Sequence, residues 1–369
     1  MKIVHTEASL GWGGQEIRVL AEAAGLAARG HEVLILTPRE ARIYDEALRR
    51  GLPVEALPIG RKDLRGFRAM RRWLAQERLD ILNTHSSTDS WLGALACATL
   101  KHPPAIVRTR HISALIPNNL PTRWLYTKAT DAIVTTGEAL RAQLINVNRF
   151  SPERIYSVPT GIDPQRFCPG DRARARAKLG LPLDASIVGI VATLRSWKGH
   201  RFLIDAIAAL KRPKVHLVMV GDGPMRAALE SRVAERGLSE RTHLPGNQDD
   251  VVPWLHAFDV FALPSYANEG VPQAIIQASM TGLAIVTTAV GAIPEVAIDG
   301  KTAVIVKPQD VDDLAHGIAR LLDDPVLRSR LGHAARDHAR NRFGYQNMLD
   351  RMEGIFGLVR DAHQARRFK

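Results

Sequence analysis

Apolar positions follow two alternating rhythms along this chain. Short runs that are apolar almost throughout, such as HEVLILTP (31–38) and SIVGIVATL (186–194), alternate with longer stretches whose apolar residues recur every three or four positions, such as GGQEIRVLAEAAGLAARG (13–30). The first pattern predicts strands buried on both faces, as in parallel sheets, and the second predicts helices. KIVHT (2–6), HEVLILTP, DILNTH (80–85), AIVRTRH (105–111) and DAIVTTG (131–137) read as strands, and Gly30 as the stop of the first helix. A break follows at 158–182, rich in proline and glycine, with a short helix at 171–179. The alternation then restarts with SIVGIVATL, VHLVMVG (215–221), THLPG (242–246), DVFALPS (259–265), LAIVTT (283–288) and TAVIVKP (302–308), with a helix such as 225–237 in the gaps. The last stretch, 311–369, reads as helical. This is an α/β pattern of two Rossmann-like doubly wound domains, expected to face across a cleft. The expected bounds are 1–165 and 166–345, with a final helix at 346–369 packing back on the first domain.

Bulk properties narrow the picture. A chain of 369 residues exceeds what one core usually organises, which agrees with two domains. No apolar run approaches the ~20 residues that span a bilayer. The start, MKIVHTEASLG, has no long apolar core and reads as a strand, so a cytoplasmic protein is expected. Cys97 and Cys168 are far apart and outside any CxxC pair, which speaks against a disulfide framework or a metal site. The net charge of +12 favours phosphate-bearing partners. With 5% aromatic residues and no recurring basic stripe interleaved with aromatics, nucleic acid is not the expected one.

In open α/β sheets ligands bind beyond the carboxyl ends of the strands, so the residues there carry the candidate chemistry. Gly13 and Gly14 open the first helix, where glycine lets a backbone approach an anion; the alternative is a ligand-free tight turn. The spacing is not GxGxxG, and Pro38 and Arg39 stand where a dinucleotide site would place an acid. In VRTRHIS, Arg108 and Arg110 share one strand face and Thr109 and His111 the other. His111 is a ligand or proton-handling candidate, or a satisfied structural histidine. TLRSWKG (193–199) offers Arg195 and Lys198 as a phosphate clamp, or as a solvated basic turn. GDGP (221–224) is a tight strand-to-helix turn built on Gly221 and Gly223. In NEGVPQAIIQAS (268–279), Glu269 precedes a helix whose first turn suits Pro272; Gln273 and Gln277 share a helical face. Glu269 reads as a cap-like anion or as an acceptor for ligand hydroxyls.

Taken in order, the Gly-Gly after the first strand, the histidine after a middle strand, VPTGID (158–163), TLRSWKG, VGDGP, FDVFALPSYANEGVPQAIIQAS and TTAVGAIPEVAIDGKTAVIVKPQD (287–310) resemble the retaining glycosyltransferases of family four, which have the GT-B fold. The resemblance covers nearly the whole chain and is strongest over about 186–325. It implies a carboxyl-terminal domain that binds a nucleoside-diphosphate sugar, with UDP favoured, and an amino-terminal domain that holds the acceptor. It implies Lys198 at the donor phosphates, Glu269 on a sugar hydroxyl, and backbone around Gly270, Val271 and Gln273 near phosphate and sugar. Gln277 falls where the family's second glutamate meets the ribose, Gly13 and Gly14 at the loop over the phosphates, and His111 near the reacting sugar. It implies no cofactor and no catalytic metal. Three departures stand out. Thr193 replaces the family's arginine, and Arg195, two residues on, is expected to substitute for it. Pro272 removes one backbone donor. Gln277 keeps hydrogen-bonding capacity toward a diol but loses the charge.

The acceptor is expected to be a glycan or a lipid-linked molecule, as in lipopolysaccharide or other surface-polysaccharide assembly. Two features suggest it. The stretch 61–78 carries Arg65, Arg68 and Arg72 with Phe67, Met70, Trp73 and Leu74 at helical spacing, which fits attachment to an anionic membrane surface or a helix docked on the domain core. The loop after His111, preceded by Arg110, is proline-rich and runs to Trp124. The rival readings are a GT-B UDP-sugar 2-epimerase and a non-catalytic anion- or nucleic-acid-binding protein.

Overall fold

A computed structural model of the chain describes residues 1–111, 114–267 and 269–367. They divide into two compact units: Met1–Gly161 together with the chain from Gln346 onward, and Ile162–Tyr345. Among the described residues the first unit has seven strands, β1 (Lys2–Thr6), β2 (Glu32–Thr37), β3 (Val54–Ala56), β4 (Ile81–Thr84), β5 (Ala105–Arg110), β6 (Ala132–Thr135) and β7 (Ile155–Ser157). They form one parallel sheet in the order β3-β2-β1-β4-β5-β6-β7. The second unit has β8 (Ser186–Val191), β9 (Val215–Val220), β10 (Thr242–Gly246), β11 (Val260–Leu263), β12 (Ala284–Thr288) and β13 (Val304–Val306), parallel in the order β10-β9-β8-β11-β12-β13. Both sheets are the doubly wound, Rossmann-like kind expected from the alternation.

Each sheet grows outward from its first strand in one direction, then resumes on that strand's other side. The strand order therefore reverses between β1 and β4 in one sheet and between β8 and β11 in the other. Crossover helices leave in opposite directions at such a point, opening a crevice at the carboxyl ends of the two strands.

The apolar runs form strands because helices cover both faces. Ile3, Val4, Ile35, Leu36, Ile81, Leu82, Val107 and Val134 are fully buried. β3 and β7, at the two edges of the first sheet, are three residues each and too short to show a period.

The helix Leu64–Gln76 is capped by Asp63, whose side chain accepts from Gly66 N at 2.7 Å. Met70 and Leu74 are buried, and Phe67 and Trp73 pack on the same core. Arg65, Arg68, Arg71 and Arg72 face solvent. Of the two readings of this segment, the structure shows the docked one: the apolar face that would enter a lipid surface is consumed by the core. Among the described residues no helix is long and apolar enough to cross a membrane.

The terminal helix Tyr345–Arg367 lies along the first unit from Gln346 onward. Glu353 pairs with Arg29 at 2.8 Å and His31 at 2.9 Å, and Arg366 reaches Asp131 at 2.6 Å. In the second unit, Arg176 donates to Asp259 at 2.6 Å and to the carbonyls of Ala257 and Ala185 at 2.9 Å each. Asp259 also accepts from Ile187 N at 2.7 Å, so this buried pair ties the helix Arg172–Leu179 to the chain around β8 and β11.

Candidate active site

In the second unit the segments after β8 and β11, the pair at the reversal point, meet through their side chains. Lys198 leaves a short turn after β8, and its Nζ donates to Glu269 Oε1 at 2.7 Å. Ser265, just past β11, donates to the same oxygen at 2.6 Å. Glu269 is only 4% exposed, whereas Lys198 is partly open to solvent. The carboxylate is thus charge-paired and oriented before any ligand arrives, with lone pairs beyond these two bonds.

Backbone contacts lock the surrounding loops. Trp197 O accepts from Tyr266 N at 2.9 Å, joining the loops after β8 and β11. Leu194 donates to Asp222 O and accepts from Met225 N, each at 3.0 Å, joining the loop after β8 to the GDGP turn after β9. Gly221 has φ +137° and a Cβ there would lie 2.1 Å from Ala192 O, so the turn requires glycine. A Cβ at Gly223 would lie 2.7 Å from Leu194 O, so the next crossing needs glycine too. The carbonyl of Glu269 accepts from Ala292 N at 3.2 Å, and a Cβ at Gly291 (φ +60°) would lie 2.1 Å from that oxygen. Four loops at the carboxyl edge of one sheet are therefore fixed around Glu269.

Gly270 and Val271 lead from Glu269 to Pro272, which caps the helix Gln273–Met280 one position earlier than the sequence suggests. Its missing N–H costs no intrahelical bond. Gln273 and Gln277, both half-buried, are four residues apart on this helix, as the spacing predicts. Thr193 is exposed, and Arg195 is exposed with its guanidinium 5.3 Å over the Trp197 ring. Helix N-terminus and Lys198 supply positive potential, and Glu269 supplies an anchored acceptor for hydroxyls. Asn268 lies outside the described residues.

The first unit holds a second constellation, again at the reversal point. Gly13, in extended backbone, caps the helix Gly14–Ala28. Behind it Glu7 accepts from Ser9 N at 2.8 Å and Gln15 Nε2 at 2.5 Å. Burial, reinforced by the nearby Asp89, pushes the Glu7 carboxyl up to about 8. His5 on β1 and Asn83 on β4 are register partners. His5 Nδ1 lies 3.0 Å from His85 Nε2, and His85 Nδ1 lies 2.9 Å from His111 Nε2. Thr109 Oγ1 donates to Asn83 Oδ1 at 2.8 Å, so Thr109 and His111 do share one face. Arg108 and Arg110 share the other, Arg108 stacked 4.5 Å over Tyr126 and Arg110 donating to its hydroxyl at 3.3 Å.

Burial, with Arg18 adding to it, lowers His5 to about 3 and holds His111 well below the ordinary histidine value. His85 is likewise held well below it, by burial and then by the other imidazoles. Sequence reasoning singled out only His111 of these three. A usable sign was present, because KIVHT, DILNTH and VRTRH each carry a histidine at or near a strand's carboxyl end. The remaining acceptor-side candidates do not gather around it as one group: Trp73 donates to Glu55 at 2.7 Å, and Trp124 stacks on Trp91 at 6.2 Å. Among the described residues no group of three or more His, Cys, Asp or Glu side chains is arranged to hold a metal ion.

Two parallel-sheet units with anchored polar groups at both reversal points are the architecture of GT-B glycosyltransferases. Residues 12–166 match the family described as Glycosyltransferase Family 4, and residues 171–338 that described as Glycosyl transferases group 1. A D-inositol 3-phosphate glycosyltransferase of Mycobacterium marinum is 31% identical over 92% of this chain and 79% of its own. One from Stackebrandtia nassauensis is 29% identical over 96% of this chain and 88% of its own. The Anabaena protein HepE, solved in complex with UDP, superposes with a TM-score of 0.85 at 20% identity, over 97% of this chain and 100% of that one. The chain belongs to the family 4, group 1 glycosyltransferases.

Proposed function

We propose that this glycosyltransferase moves a sugar from a nucleoside diphosphate, UDP by preference, to an acceptor hydroxyl with retention of anomeric configuration. The observation that carries the donor half is the Ser265–Glu269–Lys198 cluster at the β8/β11 reversal point. In this reading Glu269 accepts a hydrogen bond from a sugar hydroxyl. Lys198 and Arg195, with backbone around Gly270, Val271 and Gln273, stabilise the departing diphosphate, an electrostatic effect of the oxyanion-hole kind. Gln277 meets the ribose, Gly13 and Gly14 close over the phosphates, and His111 stands beside the reacting sugar. No cofactor takes part. A neighbour's UDP complex supports the choice of base, and retention rests on the family resemblance.

For the acceptor we favour an amphiphilic glycan or lipid-linked molecule of surface-polysaccharide assembly. Leu10, in the loop after β1, Leu115, in the segment after β5, and Leu120, at the start of the helix Leu120–Thr127 that follows it, are large apolar side chains exposed at 56%, 77% and 82%, in segments that leave the carboxyl edge that carries His111. The helix Leu64–Gln76, whose apolar face packs on the core, offers no such surface. A second reading, transfer to a phosphorylated polyol, is favoured by the names of the relatives. A thermal-shift screen of nucleotide sugars on wild type and Glu269→Ala tests the donor half. Incubation of the stabilising donor with inositol phosphate and with extracted lipid-linked glycans, read by mass and by the anomeric proton coupling of the product, tests the rest. Absence of stabilisation by any nucleotide sugar defeats the assignment, and nucleotide-sugar isomerisation without acceptor turns it into an epimerase.

A further inference from the structure

The histidines of the first unit end a buried string whose donor–acceptor roles follow from one fixed end. Arg18 is fully buried and can only donate. Its Nη1 donates to Val158 O at 2.6 Å, and its Nε points to Glu22 Oε2 at 3.4 Å. Glu22, also fully buried, turns its other oxygen to Asn83 Nδ2 at 3.3 Å. Asn83 is thereby oriented with its amide nitrogen toward Glu22 and its oxygen toward Thr109 Oγ1, which donates at 2.8 Å. The same amide nitrogen lies 3.4 Å from His5 Nδ1. Two N–H groups would repel there, so His5 Nδ1 carries the lone pair and His5 is the Nε2–H form, its buried Nε2 having no hydrogen-bond partner among the described residues. His85 Nε2, 3.0 Å from that lone pair, must then be the protonated nitrogen of His85. His85 Nδ1 becomes an acceptor, and His111 Nε2, 2.9 Å away, donates to it. Since a neutral imidazole carries one N–H, the Nδ1 of His111 is bare.

We propose that His5 and His85 are positioning residues that hold His111 in its Nε2–H tautomer, so that His111 offers an unprotonated Nδ1 to a substrate hydroxyl. Among the described residues nothing bonds to that nitrogen. Burial keeps the three rings neutral, with Arg18 lowering each of them further. Asp89, which accepts from Thr6 Oγ1 at 2.6 Å and from the backbone N–H of His85 at 2.8 Å, sets the position of the middle ring without touching its nitrogens. The polarity matters chemically. A donating His111 would recognise an oxygen as acceptor, whereas an accepting His111 requires a hydroxyl proton. Only the substrate's identity in this statement rests on the proposed function; the tautomer does not.

The test is histidine-ring ¹⁵N NMR of the full chain, without substrate, at pH 7.5, assigned with His5→Gln, His85→Gln and His111→Gln. His5, His85 and His111 are expected each to show a protonated Nε2 and a bare Nδ1, with no exchange averaging. A protonated Nδ1 on His111, or averaged nitrogens, overturns the proposal. In His85→Gln, which removes the imidazole nitrogen that accepts from His111 Nε2, His111 is expected to average between tautomers. A His111 that keeps its pure Nε2–H signature there removes the positioning role. If that variant does not fold, the wild-type tautomer alone decides. UDP-glucose binding, followed separately by thermal shift, reports on the donor assignment whichever way the tautomer falls.

Discussion

Replacing Glu269 by glutamine removes one charge and, with the amide oxygen kept toward Ser265, puts a donating NH2 where the second carboxylate oxygen stood. The new amide oxygen can still accept from Ser265, which now donates at 2.6 Å, and Lys198 is open enough to be hydrated when its partner at 2.7 Å is lost. The fold should therefore lose no more than about 1 kcal/mol, the scale of a partly exposed ion pair. The ligand term is larger. A hydrogen bond to a charged group contributes about 1.5–3 kcal/mol, so donor affinity should fall about 10- to 150-fold. In a thermal or chemical melt with UDP-glucose at 100 times the wild-type Kd, binding stabilises the wild type by about 2.7 kcal/mol. A hundredfold weaker variant keeps about 0.4 kcal/mol at the same concentration. Stability without ligand thus stays nearly constant while the ligand-induced gain almost vanishes. Equal gains in variant and wild type would refute the role of Glu269, and a melt that collapses without ligand would show the carboxylate to be structural.

Gln277→Glu should strengthen donor binding by about 0.5–2 kcal/mol, the difference between charged and neutral hydrogen bonds, measurable by calorimetric titration with UDP-glucose; unchanged affinity places the side chain away from the ribose. Asp259→Ala should destabilise the second unit by about 3–5 kcal/mol in urea melts, because it strands the buried guanidinium of Arg176. His5, held at about 3, is neutral in the fold but titrates near 6.5 when unfolded. The unfolded chain binds the extra proton, so stability should fall by about 1.4 kcal/mol per pH unit per such imidazole as pH drops below 6.5. Glu7, raised to about 8, acts in the opposite sense: its stabilisation is complete below 4.5 and lost as pH rises toward 8. Urea melts between pH 4 and 8 should therefore show His5→Gln flattening the acid limb and Glu7→Gln the alkaline one, and limbs that these variants leave unchanged would defeat the assignment.

The two wound sheets were legible because parallel strands and their covering helices impose opposite periods on the chain. Strands β3 and β7 were not, since three residues at a sheet edge carry no period. The Glu269 segment was legible from local chemistry, an acid before a proline-capped helix. The pairing of Glu269 with Lys198, 71 positions apart, depends on β8 and β11 being neighbours, which periodicity does not encode. The histidine string was hidden for the same reason: His5, His85 and His111 come from three separate segments, and only the order β1-β4-β5 brings them into line. Arg195 was legible as a phosphate candidate from its spacing, whereas the placement of its guanidinium 5.3 Å over the Trp197 ring was not.

Gly291 bears on how this enzyme can diversify. Because any side chain there would strike the carbonyl of Glu269, substitution at this glycine would re-aim that acid. On the proposed donor reading, new donor preferences are therefore more accessible through Gln273 and Gln277, which do not meet the Cβ position of Gly291, than through the loop after β12. A saturation library selected for activity should leave position 291 almost invariant while tolerating change at 277, one frozen crossing beside one adjustable face.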